Sequence, residues 1–332
     1  MIVIGPSECG KSTVIRHMVY LAKGGYEPEE KPQIVNTIRS NVIEGIQDII
    51  KGMEKLKIPF ENPDNEDRAK SIKAISIISP VITPELLEQM RELLRDKGVH
   101  SALKRVNEFN FNYAFLHYID VHSLAEPGAP HGTEDGLSNV FNVNYTPSIS
   151  DAVHMRRVTK GPIQKTFVFK GVTFRITDVG GERQKRINWT PLIQASLMVI
   201  FVAALSDYDL LLKEDGRTNR MKEALTLFEI ECSREDLKHK SFFLFLNKVD
   251  LFKRKVKKIP LSRYFEDYKG SGDSQSCLRY IRDLFLQAGA EKAEKRKLHV
   301  AVTDATDKGS LEKVFAAVKD TAVQIVSQRT LL

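Results

Sequence analysis

Gly5-Pro6-Ser7-Glu8-Cys9-Gly10-Lys11-Ser12 reads G-x-x-x-x-G-K-[ST]. It lies between a short apolar run, Ile2-Val3-Ile4, and a helical pattern carried by Val14, Met18 and Leu21. Few local patterns constrain a fold as tightly. A strand must end, a glycine turn must present backbone N–H groups, and a helix must open with unpaired N–H groups and a positive dipole end. Such a loop is shaped for phosphate. Lys11 supplies a point charge for the β- and γ-phosphates, and the Ser12 hydroxyl is a magnesium ligand.

The remaining elements follow from periodicity. Phe167–Phe169 and Val172–Ile176, joined by Lys170-Gly171, read as a hairpin. Buried strands are expected at Leu197–Val202, Phe242–Leu246 and Leu298–Val302, with helical sequence between them. Strands alternating with helices predict an α/β domain: a mostly parallel sheet with helices on both faces. Residues 33–120 differ. Val35, Ile38, Val42, Ile46, Ile49 and Met53 recur at steps of three and four, and Thr83-Pro84 is a helix start, with Gly98 read as the stop. Pro127, Gly128, Pro130, Gly132 and Gly136 mark a loop within 125–144. The expected division is 1–32 and 151–332 for the phosphate-loop domain, with 33–150 as an inserted all-helical domain.

Composition excludes several classes. Of 332 residues, 42% are hydrophobic and 28% charged, which is globular rather than disordered or fibrous. Cys9, Cys232 and Cys277 are too few for a disulfide framework and read as reduced, cytoplasmic thiols. No apolar stretch reaches the roughly 20 residues of a membrane span. The net charge of +7 reads first as a solvated surface and second as attraction to an anionic face. Clusters at Lys253–Lys258 and Lys292–Lys297 are of this kind. No zinc pattern or aromatic-interleaved basic motif points to nucleic acid.

Asn247-Lys248-Val249-Asp250 directly follows a strand. A carboxylate there accepts from both N1–H and the exocyclic amine of guanine, which adenine does not offer, so adenine leaves a buried acceptor unpaired. Ala305, in Thr303-Asp304-Ala305-Thr306, is placed to give its backbone N–H to the guanine oxygen. Asp178-Val179-Gly180-Gly181 ends the hairpin, where Asp178 holds Mg²⁺ through water and Gly181 brings an N–H to a γ-phosphate. Thr159, in Arg156-Arg157-Val158-Thr159-Lys160-Gly161, offers a second hydroxyl to the metal. A P-loop kinase or ATPase is the competing reading, and Asp250 argues against it.

In this order, the phosphate loop, helical insertion, R-x-x-T-x-G, D-x-G-G, N-K-x-D and T-x-A-T resemble the α subunits of heterotrimeric G proteins almost end to end. Ala204–Asp209 and Phe245–Phe252 resemble that family specifically, and Ras-like small GTPases lack the insertion. The resemblance implies a GTPase switch in a Ras-like domain, transducing signals from membrane receptors to effectors. It makes Arg156 the arginine that stabilises developing phosphoryl charge, and Ser12 and Thr159 the Mg²⁺ ligands. It makes Gly181 the γ-phosphate sensor, and Glu8 the acid that pairs with the switch arginine in the GDP state. Cys9, Gly10, Thr13, Val153, His154, Asn247, Lys248 and Ala305 fall at nucleotide-contacting positions. Implied partners are a Gβγ dimer, a receptor or other exchange factor, an effector and an RGS-type accelerating protein. The implied location is the inner face of the plasma membrane. The family's N-terminal amphipathic helix, needed for full Gβγ binding, has no counterpart before Ile2, and no anchor is read from Met1-Ile2.

Two departures bear on turnover. The family carries glutamine where Glu182 stands; an amide donates and accepts, whereas a carboxylate only accepts and adds negative charge beside the γ-phosphate. Ser7 replaces a glycine of the phosphate loop and crowds the space for the attacking water. Slowed hydrolysis is the expectation; the alternative is a nucleotide-occupancy switch with negligible turnover. Tyr113-Ala114 stands where the family usually has Asp-Ser near the nucleotide.

Overall fold

The computed structural model describes residues 1–78, 80–119, 136–290 and 298–330. Much of the glycine- and proline-rich loop, the cluster at 292–297 and the two terminal leucines lie outside the described residues. Contacts divide the chain into two compact units, Met1–Gly25 with Val158–Leu332, and Tyr26–Arg157.

Among the described residues of the first unit, six strands order as β2-β3-β1-β4-β5-β6. They are β1 (Ile2–Ile4), β2 (Ile163–Phe169), β3 (Val172–Asp178), β4 (Met198–Ala204), β5 (Ser241–Asn247) and β6 (Leu298–Val302). Only β2 and β3 run antiparallel; every other neighbouring pair is parallel. The hairpin turns where expected, with positive φ at both Lys170 and Gly171. Alternation splits the inward residues between two cores. Ile2, Ile4, Phe201 and Leu244 pack on one face with Trp189 and Phe228, while Val3, Ile200, Phe243 and Phe245 pack on the other with Val14, Met18 and Phe315. Parallel strands buried on both faces therefore read as unbroken apolar runs, as β4 does. Helix α1 (Lys11–Lys23) rises directly from the loop after β1.

The second unit is helical and built on α2, Lys31–Leu56. Ile34, Ile38, Val42, Ile46, Ile49 and Met53 are buried along it, and Gly45 and Gly52 admit Phe115 and Phe109 to the backbone surface. Thr83 caps the helix Pro84–Leu94 by accepting from Leu86 N–H at 3.3 Å. The expected stop at Gly98 is corrected: that helix ends at Leu94, and Gly98 lies inside a further helix, Lys97–Leu103. The buried Asp96 carboxylate makes the break. It accepts from Gly98 N–H at 2.7 Å, from the backbone N–H groups of Glu61 and Asn62, and from Asn65. This unit extends past 33–150 because its ends are tied to its interior. Tyr26 Oη donates to Pro147 O at 2.5 Å, and Asn41 bonds both the N–H and the carbonyl of Arg156. Among the described residues, no helix is long and apolar enough to cross a membrane.

Candidate functional site

The phosphate loop runs from Gly5 to Gly10, and α1 begins at Lys11 with Gly10 as its cap at φ 104°. A Cβ on Gly10 would strike Asn247 Nδ2, so both the backbone angle and the close approach require glycine. Lys11 is buried, its Nζ 3.0 Å from Gly5 O and 2.6 Å from Pro6 O. An ammonium held by the carbonyls of its own loop is suited to a phosphate oxygen.

Ser12, Thr159 and Asp178 converge from α1, the segment before β2, and the end of β3. Ser12 Oγ donates to Asp178 Oδ2 at 2.6 Å and lies 2.8 Å from Thr159 Oγ1, which is 3.4 Å from the same carboxylate oxygen. Among the described residues, Asp178 Oδ1 is buried without a hydrogen-bond partner. Burial pushes this carboxyl above its usual range, against the opposing pull of Ser12 and Lys11. Two hydroxyls and a carboxylate with an orphaned oxygen suit a hard divalent cation that keeps waters and binds phosphate. Among the described residues no three His, Cys, Asp or Glu side chains gather to hold a metal by themselves.

Asn247 is the hub between the base-side loops and the phosphate loop. It donates to Cys9 O at 3.0 Å and accepts from Thr303 Oγ1 at 3.1 Å and Ala305 N–H at 3.0 Å. The Ala305 N–H read from sequence as a guanine donor is thus bonded to Asn247. Ala305 O in turn lies 2.8 Å from His17 Nδ1 on α1. Lys248, at φ 60°, sends its Nζ to Glu8 O at 2.7 Å. Asp250 stands partly exposed on the first turn of the helix Val249–Val256, 3.0 Å from Arg254.

Gly181 packs on the phosphate loop: an added Cβ would lie 2.5 Å from the Pro6 carbonyl carbon and oxygen. Its own carbonyl accepts from Arg186 Nε at 3.0 Å, and Trp189 Nε1, fully buried, donates to Gly180 O at 3.0 Å. Glu8 is held by Lys213 at 2.8 Å and Arg220 at 2.7 Å. Arg183 and Arg186 both grip Glu223 at 2.7 Å. Sequence reading missed these four cations and Glu223, whose signal is only a charge far along the chain. Glu182 pairs with Lys185, and Thr13 is half-buried on α1.

Val153, His154 and Arg156 belong to the helical unit. There Arg156 Nη1 donates to both carboxylate oxygens of Glu44, at 2.9 and 3.1 Å, and His154 stacks on His117 with ring centroids 3.6 Å apart.

Comparison with known proteins agrees with this geometry. The family described as "G-protein alpha subunit" matches residues 1–322. The chain belongs to that family. It is 33% identical over 98% of its length to "G-protein complex alpha subunit gpaA" of Aspergillus fumigatus, covering 88% of that protein. The identity and both coverages are the same for "Guanine nucleotide-binding protein subunit alpha" of Cryphonectria parasitica and "Guanine nucleotide-binding protein alpha-1 subunit" of Neurospora crassa. This G-protein α subunit is therefore a guanine-nucleotide-binding signalling subunit, and the Ras-like fold with a helical domain expected from sequence is borne out. Members of the family are in general GTPases that partner with Gβγ, receptors and effectors.

Proposed function

We propose that this α subunit binds GTP with Mg²⁺ and hydrolyses it to GDP and phosphate, passing a signal from a membrane receptor to an effector. The observation that carries the reading is the convergence of Ser12, Thr159 and Asp178 beside Lys11, on a loop that Asn247 and Lys248 join to the base-side segment. In this reading Ser12 and Thr159 ligate the cation, Asp178 holds it through water, and Lys11 holds phosphate oxygens. The cation supplies neutralisation of phosphate charge. Gly181 brings the Asp178–Asn188 segment against the phosphate loop, so that segment responds to a γ-phosphate and presents a changed face. The roles of Arg156 at the γ-phosphate, and of Cys9, Thr13, Val153 and His154 against the nucleotide, rest on family resemblance. So do Gβγ, an exchange factor, an RGS-type accelerator and work at the inner face of the plasma membrane.

The test follows Trp189 fluorescence and phosphate release after mixing with Mg²⁺ and GTP in one turnover. Asp250→Asn should move preference from GTP towards xanthosine triphosphate; unchanged preference removes Asp250 from base recognition. Glu182, charged where the family has an amide, favours a second reading in which occupancy rather than turnover is the output. Binding without phosphate release would select it.

A further inference from the structure

Glu182 places a carboxylate at the position expected to orient the attacking water, and the surroundings of that carboxylate differ from open solvent. Its Oε2 is buried, and its one partner among the described residues is the ammonium of Lys185. The side chains of Glu182 and Lys185 are 33% and 34% exposed. Lys185 has two further engagements. Its Nζ donates to Thr159 O at 3.2 Å, on the residue whose hydroxyl meets Ser12 and Asp178. Its stem lies so close over Gly180 that a Cβ there would come within 2.5 Å of Lys185 Cδ. The lysine therefore spans three parts of the first unit: the hydroxyl cradle, the glycine turn and the carboxylate.

Building on the proposed GTPase reading, we infer that Lys185 is a positioning residue for hydrolysis, which cancels the charge of Glu182 and fixes its carboxylate relative to Thr159. An isolated carboxylate near the γ-phosphate repels the anionic substrate and swings freely. Paired with Lys185, it presents a nearly neutral unit whose remaining oxygen can accept a hydrogen bond from water. In the reaction the water oxygen bonds to the γ-phosphorus as the bond to the bridging oxygen breaks, and the water's proton leaves with the phosphate product. Glu182 and Lys185 are unchanged at the end. The bland alternative is a solvent-facing pair three residues apart, worth little and unconnected to turnover. The contact with Thr159 O distinguishes the two, because it ties the lysine to the metal cradle.

The experiment is a double-mutant cycle on the full chain, using single-turnover phosphate release with Mg²⁺ and GTP. Binding of a poorly hydrolysed GTP analogue is read on the same samples. Lys185→Met is expected to slow release about tenfold while analogue binding persists, and to change it less than about twofold when Glu182→Gln is already present. Lys185→Arg should recover most of the rate, since it restores the cation without the native stem. Equal losses in both backgrounds, or none, would overturn the inference, as would failure of arginine to rescue. Wild-type protein that binds the analogue yet releases no phosphate overturns it too, leaving nucleotide binding intact. Wild-type protein that binds no analogue would instead remove the GTPase reading beneath it.

Discussion

Replacing Gly181 by alanine adds one methyl group where the structure has no room. The new Cβ would stand 2.5 Å from the carbonyl carbon and oxygen of Pro6 and against the Lys11 ammonium. Lys11 ends in a flexible chain and can yield; the Pro6 carbonyl is backbone on a φ fixed by its ring, and already accepts from Lys11 at 2.6 Å. The Asp178–Gly181 segment must therefore retreat from the phosphate loop. Overpacking of this kind costs about 1–3 kcal/mol, which corresponds to roughly a 5- to 150-fold loss of affinity if it falls on the nucleotide-bound state. That loss should fall on a GTP analogue and spare GDP, because Gly181 is proposed to meet only the γ-phosphate. Titrations of both nucleotides, read through Trp189, measure it, since Trp189 is bonded to Gly180 and moves with the turn. Gly161→Ala is the control, with nothing within 4 Å of its Cβ. An alanine variant that binds the GTP analogue within about twofold of wild type, with an unchanged tryptophan signal, would refute the packing argument.

Asn247→Ala should destabilise the protein by about 2–4 kcal/mol, because Cys9 O, Thr303 Oγ1 and Ala305 N–H lose a buried partner together; an unchanged denaturation midpoint would contradict this. Asp151, in the helical unit, is half-buried, which raises its pKa, but hydrogen bonds from His117 and the Ser148 cap win and hold it at about 2. A lowered carboxyl adds stability above its unfolded pKa and loses it as pH falls through the folded value. Urea midpoints should therefore decline from about pH 5 towards pH 2 by an Asp151 share of about 2 kcal/mol. Asp151→Asn should flatten that part of the decline, and a parallel curve would exclude Asp151 as its source.

The sheet and the phosphate loop were legible because each depends on local sequence: unbroken apolar runs in β4 and β5, and glycines at fixed offsets before Lys11. The Ser12–Asp178 meeting was legible through motif order. What sequence hid was pairing over distance. Nothing near Glu8 announces Lys213 and Arg220, more than two hundred residues away. Nothing near Arg183 and Arg186 announces Glu223. Gly98 misled for a different reason: a glycine signals a helix end only if no side chain offers a better one, and Asp96, two residues earlier, both ends one helix and starts the next.

The bonds from Asn247 to Cys9 O and from Lys248 to Glu8 O stitch together stretches that a nucleotide would otherwise have to gather by itself. Much of the entropy of assembling the pocket is thus spent during folding, before any ligand arrives. Amide exchange at the two stretches should accordingly slow or quicken in step, and damage to the base-side loop should be felt where phosphates rest.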